Sequence, residues 1–289
     1  ISAAIYLRSK GYEVSVFEKN STLGGRANII EEKGFRFDVG PSLLNYPWIF
    51  ENLFEAAGEK MDDHIDLIEI KSGVKFLWDD KETFTITSDF PRLSKEIARL
   101  EKSHINGLNS FLKANYKRYN IAFEKLLNRN LDNPLGWGIG LGFSELLSGS
   151  MFKSMYSDLG KHFKSDYIKQ AFGSYAMYLG GSPFKIPGFF SILPYGEIAY
   201  GLWMPKGGIY SLIEKLENIL KKQGVKVFKN SQVSEIITSK NEVKGVVLED
   251  GTSIPYEIVV SNVDLPTTES KLIKNNINNT FDAKQMTPS

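Results

Sequence analysis

GYEVSVFEKNSTLGGRANI, residues Gly11 to Ile29, is the stretch whose reading decides the fold. Val14 and Val16 alternate with polar neighbours and Glu18 closes the run, the period-two pattern of a short strand. Just upstream, ISAAIYLRSK (1–10) places Ala3, Ala4 and Leu7 at helical spacing, and Gly11 follows as a stop. A helix that passes into a strand through one glycine is the later part of a β-α-β unit, because parallel strands require a crossover. In units of this kind that bind a dinucleotide, the pyrophosphate rests on a helix N-terminus. An acid at the end of the second strand accepts hydrogen bonds from the ribose. Glu18 stands at that place. A carboxylate there repels a 2′-phosphate, which favours FAD or NAD over NADP. Gly24-Gly25-Arg26 follows a few residues on: two glycines let backbone N–H groups approach a phosphate, and the guanidinium adds charge and paired donors. A solvated glutamate and a plain glycine turn are the alternative reading of each feature alone; their combination favours a nucleotide site.

The bulk properties narrow the chemistry further. A 289-residue chain that is 42% apolar and 24% charged has the composition of a globular protein with a real core. A net charge of +1 gives no basic excess for nucleic acid. The absence of cysteine excludes disulfides, thiolate metal sites and thiol nucleophiles. His64, His104 and His162 are scattered without ligand spacing, so neither a metal centre nor a Ser/His/Asp triad is expected. No apolar run reaches the 18 residues needed to span a bilayer, and no signal peptide opens the sequence. An intracellular protein is the expectation.

Farther along, EEKGFRFDVGPSLLNYP reads as a hairpin and turn, and WIFENLFEAA (48–57) as an amphipathic helix. IDLIEI and VKFLWDDKETFTITSD read as strands, with Asp79-Asp80-Lys81 turning a hairpin. A long helical region is expected from a cap at Ser94 to about Asn128, broken near Asn106-Gly107. Two helices are expected within 151–180, then a stretch rich in proline and aromatics from Ser182 to Pro205. From Gly207 the α/β texture returns: an amphipathic helix to Gly224, VKVF, and alternating strands in VSEIITS, VKGVVLEDG and SIPYEIVVS, with Asp250-Gly251 as a tight turn.

Taken in order, SAAIYLRSKGYEVSVFEKNSTLGGRANIIEEKGFRFDVGPSLL, YLGGSPFKIPGFFSILPYGEIAYGLWMPKGGIYSLIEKL, GVKVFKNSQVSEI and VVSNVD resemble phytoene desaturases and related carotenoid oxidoreductases, which are FAD-binding, amine-oxidase-like flavoproteins. The resemblance covers most of 1–273 and is loose over about 120–170. It implies an α/β protein with an incomplete Rossmann-like FAD-binding domain at 1–75 and 206–289. The insert at 76–205 would be an α+β, largely helical substrate domain.

By the same resemblance, Glu18, with Lys19 beside it, would hold the adenosine ribose. Gly24, Gly25 and Arg26 would follow the pyrophosphate and ribityl chain, and Asp38, Gly40 and Pro41 would form the turn approaching the flavin. Val233 would meet the adenine through its backbone, and Asn262 and Asp264 would end a late strand near the cofactor. A strand-end turn needing Gly and Pro is the plainer reading of FDVGP, as is a simple turn for Asn262 and Asp264. Pro205 to Gly208 reads equally as the start of a helix.

The implied reaction is hydride transfer from a saturated carbon pair of a long polyene to the flavin, with a proton lost from the neighbouring carbon. Because the cofactor carries that chemistry, no acid or base is named. Tyr175, Tyr178, Phe184, Phe189, Phe190, Tyr195, Tyr200 and Trp203 are candidates to line a tunnel, with core packing the plainer role for each. So apolar a substrate implies peripheral membrane association, for which WGIGLGF (137–143) and IPGFFSIL (186–193) are candidate patches, or else interior segments. A flavin-dependent isomerase or saturase, and a noncatalytic apolar-lipid carrier, are the alternatives. The resemblance also implies that both ends are cut, the first just after the phosphate loop. Weak or absent FAD binding by these 289 residues is the corresponding expectation.

Overall fold

The computed structural model of the chain describes residues 1–102, 104–127, 150–240 and 242–274. The chain divides into two compact units. Ile1–Ile68 joins Met204–Ser289 in the first, and Glu69–Trp203 forms the second.

In the first unit the opening helix, Ser2–Ser9, ends as its sequence dictates. Gly11 takes φ +89°, and its N–H bonds to the Arg8 carbonyl at 2.9 Å. Ser15–Phe17 then pairs in parallel with Lys226–Phe228, and Phe17 stacks on Phe228 at 5.0 Å between ring centroids. The Ile209–Lys222 helix precedes that second strand and buries Ile209, Leu212, Leu216, Ile219 and Leu220 on one stripe. Arg8 ties the two helices together by donating from Nε to the Gln223 carbonyl at 2.7 Å.

Asn28–Glu32 and Phe35–Val39 form an antiparallel hairpin, with Ile30 opposite Phe37 and Asn28 opposite Val39. Its two turn residues, Lys33 at φ +52° and Gly34 at φ +82°, have the positive angles that suit the twist of paired strands. One side of this hairpin carries Ile30, Phe35, Phe37 and Val39, all exposed; the other carries Arg36 and Asp38. Val233–Ser239, Glu242–Leu248 and Ser253–Pro255 make an antiparallel three-stranded sheet. The last strand stops at Pro255 instead of running on to Ser261, with one further ladder bond from the Tyr256 N–H to the Lys244 carbonyl at 3.2 Å.

The second unit begins with the hairpin Val74–Leu77 and Thr83–Ile86, whose Phe84 and Ile86 are fully buried. Phe90–Leu100 follows, capped by Asp89, which accepts from the Arg92 N–H at 3.0 Å, rather than by Ser94, which lies inside the helix. The next helix is His104–Ile121, so the break falls after Leu100 and not near Gly107. Two observations account for the shift. Glu101 leaves the helix to accept from the N–H groups of Lys164 and Ser165 at 2.9 and 3.1 Å. Gly107 stays helical because its missing side chain gives room to the His162 carbonyl, which a Cβ would meet at 2.3 Å. The expected end of this region near Asn128 lies outside the described residues.

Met155–Leu159 and Asp166–Gly173 are the two helices expected within 151–180. The aromatic stretch after Ser182 holds a helix the sequence did not announce, Ile192–Tyr200. Pro194 is tolerated because it lies in the first turn, where N–H groups have no helical partner. Phe84, Phe111, Phe163 and Phe172 form the aromatic core, with Phe172 5.1 Å from Phe111 and 5.2 Å from Phe163 between ring centroids. Each such side chain contributes about 1.5–3 kcal/mol by leaving water.

Candidate functional site

The parallel pair fixes the first group of candidate residues. Beyond Phe17, the Glu18 N–H donates to the Phe228 carbonyl at 2.9 Å, and the Glu18 carbonyl accepts from Ser231 at 2.9 Å. The 18–20 loop is therefore stitched to 228–231, and Val233 begins its strand two residues beyond that stitch. Glu18 is half-buried, and its Oε1 accepts from the Asn20 N–H at 2.8 Å. Oε2 has no hydrogen bond among the described residues. The Ile1 amino group lies near enough to feel this carboxylate: burial pushes the amino group's pKa down, and Glu18 pulls it up. Lys19 is exposed.

The second group is brought together by the Asn28–Val39 end of the hairpin, which sets residues 24–27 against residues 40–41. Gly24 has φ +113°, and a Cβ there would meet the Ala27 carbonyl oxygen at 2.1 Å. Gly40 has φ +107°, and a Cβ there would lie 1.9 Å from the Arg26 carbonyl oxygen. Neither position accepts another residue without moving backbone. Gly25, at φ +59°, has nothing within 4 Å on its open side. Arg26 is exposed and makes no ion pair among the described residues. Gly24 and Gly40 thus both close on the Arg26–Ala27 backbone, forming a ledge that Gly25 and Pro41 continue along the chain and that carries the exposed Arg26. That donor set fits an anionic group approaching closely.

Asp38 does not join the ledge. Its Oδ2 accepts from the Ile209 N–H at 2.7 Å and its Oδ1 from the Tyr210 N–H at 3.2 Å, so it caps the 209–222 helix from another part of the chain. Gly208 makes this approach possible, since a Cβ there would sit 2.1 Å from Oδ2. The glycines of PKGG serve this contact as well as the helix start. Asn262 and Asp264 are exposed, and Asp264 accepts from the Thr267 N–H at 3.1 Å as the cap of a short turn. Hydrogen bonds from Thr267, through side chain and then backbone, hold its carboxyl below the usual range.

In the second unit the aromatic residues part into two sets. Tyr175, Phe189 and Tyr195 are buried, whereas Tyr178 and Phe184 are 59% and 65% exposed; Phe190, Tyr200 and Trp203 are intermediate. Of IPGFFSIL, Gly188, Phe189 and Ser191 are interior, and Phe189 packs on Ala122 and Leu126. The other five residues of the segment, Ile186, Pro187, Phe190, Ile192 and Leu193, are half-buried. WGIGLGF lies outside the described residues. An open groove of about 380 Å³ runs between helices, lined by Phe90, Leu112, Lys113, Tyr116, Tyr195 and Ile198 among others.

Two buried acids in this unit escaped the sequence reading. Asp158 meets Arg118 through Oδ2 at 2.5 Å and Oδ1 at 3.3 Å, and Lys161 at 2.6 Å. Burial pushes its carboxyl up, but hydrogen bonds from Arg118 and Lys161 outweigh this and leave it lowered. Glu197 is 2% exposed; Oε2 accepts from the Tyr175 hydroxyl, and Oε1 has no hydrogen-bond partner among the described residues. Burial raises its pKa, and the Tyr175 bond opposes the rise only in part. Gly73 leaves the space, since a Cβ there would meet Oε1 at 2.2 Å. A lone acid within the apolar run ILPYGEIAY was the available signal for Glu197. Nothing local marks Asp158 and Arg118, which are 40 residues apart. Among the described residues no group of three or more His, Asp or Glu is gathered as a metal requires, and no helix is long and apolar enough to cross a membrane.

The family model described as flavin containing amine oxidoreductase matches residues 1–286. The phytoene desaturase of Phycomyces blakesleeanus is 35% identical over 271 residues, covering 91% of this chain and 46% of that protein. The zeta-carotene-forming phytoene desaturase of Myxococcus xanthus is 29% identical over 273 residues, covering 94% of this chain and 53% of that protein. The chain therefore spans about half the length of these relatives. Among solved structures, a Pyrococcus furiosus protein superposes with a TM-score of 0.65 at 19% identity, covering 100% of this chain and 63% of that one. At that identity the likeness speaks for the fold alone.

Proposed function

The chain belongs to the flavin containing amine oxidoreductase family, and on that premise we propose that it serves as an FAD-dependent desaturase of a long polyene of the phytoene class. The observation that carries this reading is the similarity to phytoene desaturases over more than nine-tenths of the chain. The first unit would be the Rossmann-like FAD-binding part, and the second, inserted unit the substrate part. The ledge supports the cofactor assignment, because its bare glycine backbone and unpaired guanidinium suit a pyrophosphate.

In this reading Glu18 takes the ribose hydroxyls with its free oxygen, and the Val233 backbone borders the adenine. Lys19 adds positive charge beside Glu18. Gly24, Gly25 and Arg26 follow the pyrophosphate, Gly40 and Pro41 border the flavin, and Asn262 and Asp264 close the far end. When bound, FAD would supply the two-electron acceptor that removal of hydrogen from neighbouring carbons requires. The chain's own contribution is to orient a flexible hydrocarbon and exclude water, a role suited to the aromatic second unit. No side chain is assigned as acid or base. A substrate confined to the bilayer calls for a peripheral encounter with the membrane surface.

Two measurements test the reading. FAD titration with fluorescence detection should show weak binding that weakens about tenfold further in Arg26→Ala, the scale of one charged hydrogen bond lost. Expression in a host that accumulates phytoene should yield products with added conjugated double bonds. Altered bond geometry without new double bonds would overturn desaturation.

A further inference from the structure

Asp38 lies two residues before Gly40, yet its carboxylate leaves the ledge and ends on the 209–222 helix. Three other contacts bind the same helix to the same part of the chain. A Cβ on Gly24 would lie 3.2 Å from Ile213 Cγ2, so that glycine rests against the helix. Arg36, on the same side of the hairpin as Asp38, pairs with Glu214 at 3.3 Å and lies over the Tyr210 ring at 5.9 Å. The first two turns of the helix thus underlie both halves of the ledge, Gly24 through Ile213 and Gly40 through Asp38. Opposite charges are matched along the way: the carboxylate meets the positive end of the helix, and the guanidinium meets a glutamate one turn further in.

We infer that Asp38 is a positioning residue, which clamps the start of the 209–222 helix as the common base of the 24–26 and 40–41 turns and touches no part of the cofactor. Its consequence for flavin binding rests on the cofactor reading above; the clamp itself is read independently of it. The two turns are separate in sequence, and each carries a glycine packed so closely on backbone that no side chain fits there. Their mutual placement therefore depends on what each is anchored to, and the anchor is shared. Gly208 belongs to the same device, because any side chain there displaces Asp38.

The test uses Asp38→Ala, Asp38→Asn, Gly208→Ala and the double variant D38A/G208A. The readouts are FAD titration, the absorption spectrum of bound flavin, and amide hydrogen exchange. Asp38→Ala should raise the FAD Kd about tenfold and speed exchange at the amides of Gly24 to Ala27. Asp38→Asn should fall between the parent and Asp38→Ala, since asparagine still caps the helix through one oxygen but its amide nitrogen cannot accept from the second N–H. The double variant should be no worse than Gly208→Ala alone, because both changes break one contact. The flavin spectrum should be the same in every variant that binds.

Two results overturn the proposal. Asp38→Ala could lower thermal stability while Kd and exchange at 24–27 stay unchanged, which would leave the cap a merely local support. Alternatively, Asp38→Asn could match Asp38→Ala and shift the flavin spectrum, which would mean direct contact with the cofactor. If the parent chain binds no FAD, the titration has no readout, and exchange at Gly24 to Ala27 alone decides: faster in Asp38→Ala supports the clamp, unchanged sinks it.

Discussion

Asp38 on the first unit and Glu197 on the second are treated in opposite ways. Asp38 is open to water and still has both oxygens hydrogen-bonded to backbone N–H groups. Glu197 is almost sealed from water and has only the Tyr175 hydroxyl. Where water is present, a cap organises the chain at little desolvation cost, and it contributes on the order of 1 kcal/mol. Where water is absent, an incompletely bonded acid favours its neutral form instead. The first unit uses a carboxylate to join two parts of the chain; the second holds one whose charge is costly. Asp158 marks a third arrangement, a buried acid kept charged by Arg118 and Lys161.

The largest expected effect comes from the buried ion pair. Asp158→Ala should destabilise the protein by about 3–5 kcal/mol, since Arg118 would keep its burial and lose its two-point partner. Urea unfolding measures this, and a loss below about 1 kcal/mol would put the two acids of this unit in the same class.

Glu197→Gln gives the intermediate effect, and its sign depends on pH. A folded-state pKa raised above the unfolded value of 4.5 means that the native protein binds more protons in the window above 4.5, so stability falls as pH rises through it. The variant should be more stable than the parent at pH 8 by about 1 kcal/mol, the scale of one buried polar group relieved. It should also lose that pH slope. Asp158, held below its usual range, gives the reverse trend, with stability lost on acidification. An unchanged slope in Glu197→Gln would remove the contrast between the two units.

Glu214→Ala should produce the smallest change, at most about 0.5 kcal/mol, because its pair with Arg36 is solvent-exposed on both sides. A larger loss would show that the hairpin and helix are held by charge as much as by the Asp38 cap.

What the sequence made legible follows the range of the forces involved. The opening helix, the strand ending at Glu18 and the turn glycines were readable because each depends on neighbours a few residues away. Gly24 and Gly40 were visible as turn residues; their mutual closeness was not, since it comes from the register of an intervening hairpin. The resemblance places Asp38 with Gly40 and Pro41 in the turn approaching the flavin, and FDVGP by itself points to nothing more distant. The partners of Asp38 lie more than 170 residues on, and no local pattern encodes such a distance. The helix at 192–200 was hidden by Pro194 and Gly196, whose usual effect is cancelled by position in the first turn and by tight packing. Glu197 and Asp158 reach their partners only across the tertiary fold.

The first unit is written in two instalments, with Glu69–Trp203 between them. During synthesis the Phe35–Val39 strand and its exposed aromatic side leave the ribosome long before Ile209 and Tyr210, the N–H groups that Asp38 awaits. At typical elongation rates the delay is on the order of ten seconds, far longer than a hairpin needs to form. For that interval Asp38 has no helix to cap, and the register between the hairpin and the later half of the unit is still to be set. The aromatic side of the hairpin, which the helix does not cover, stays open to other surfaces before and after that contact forms.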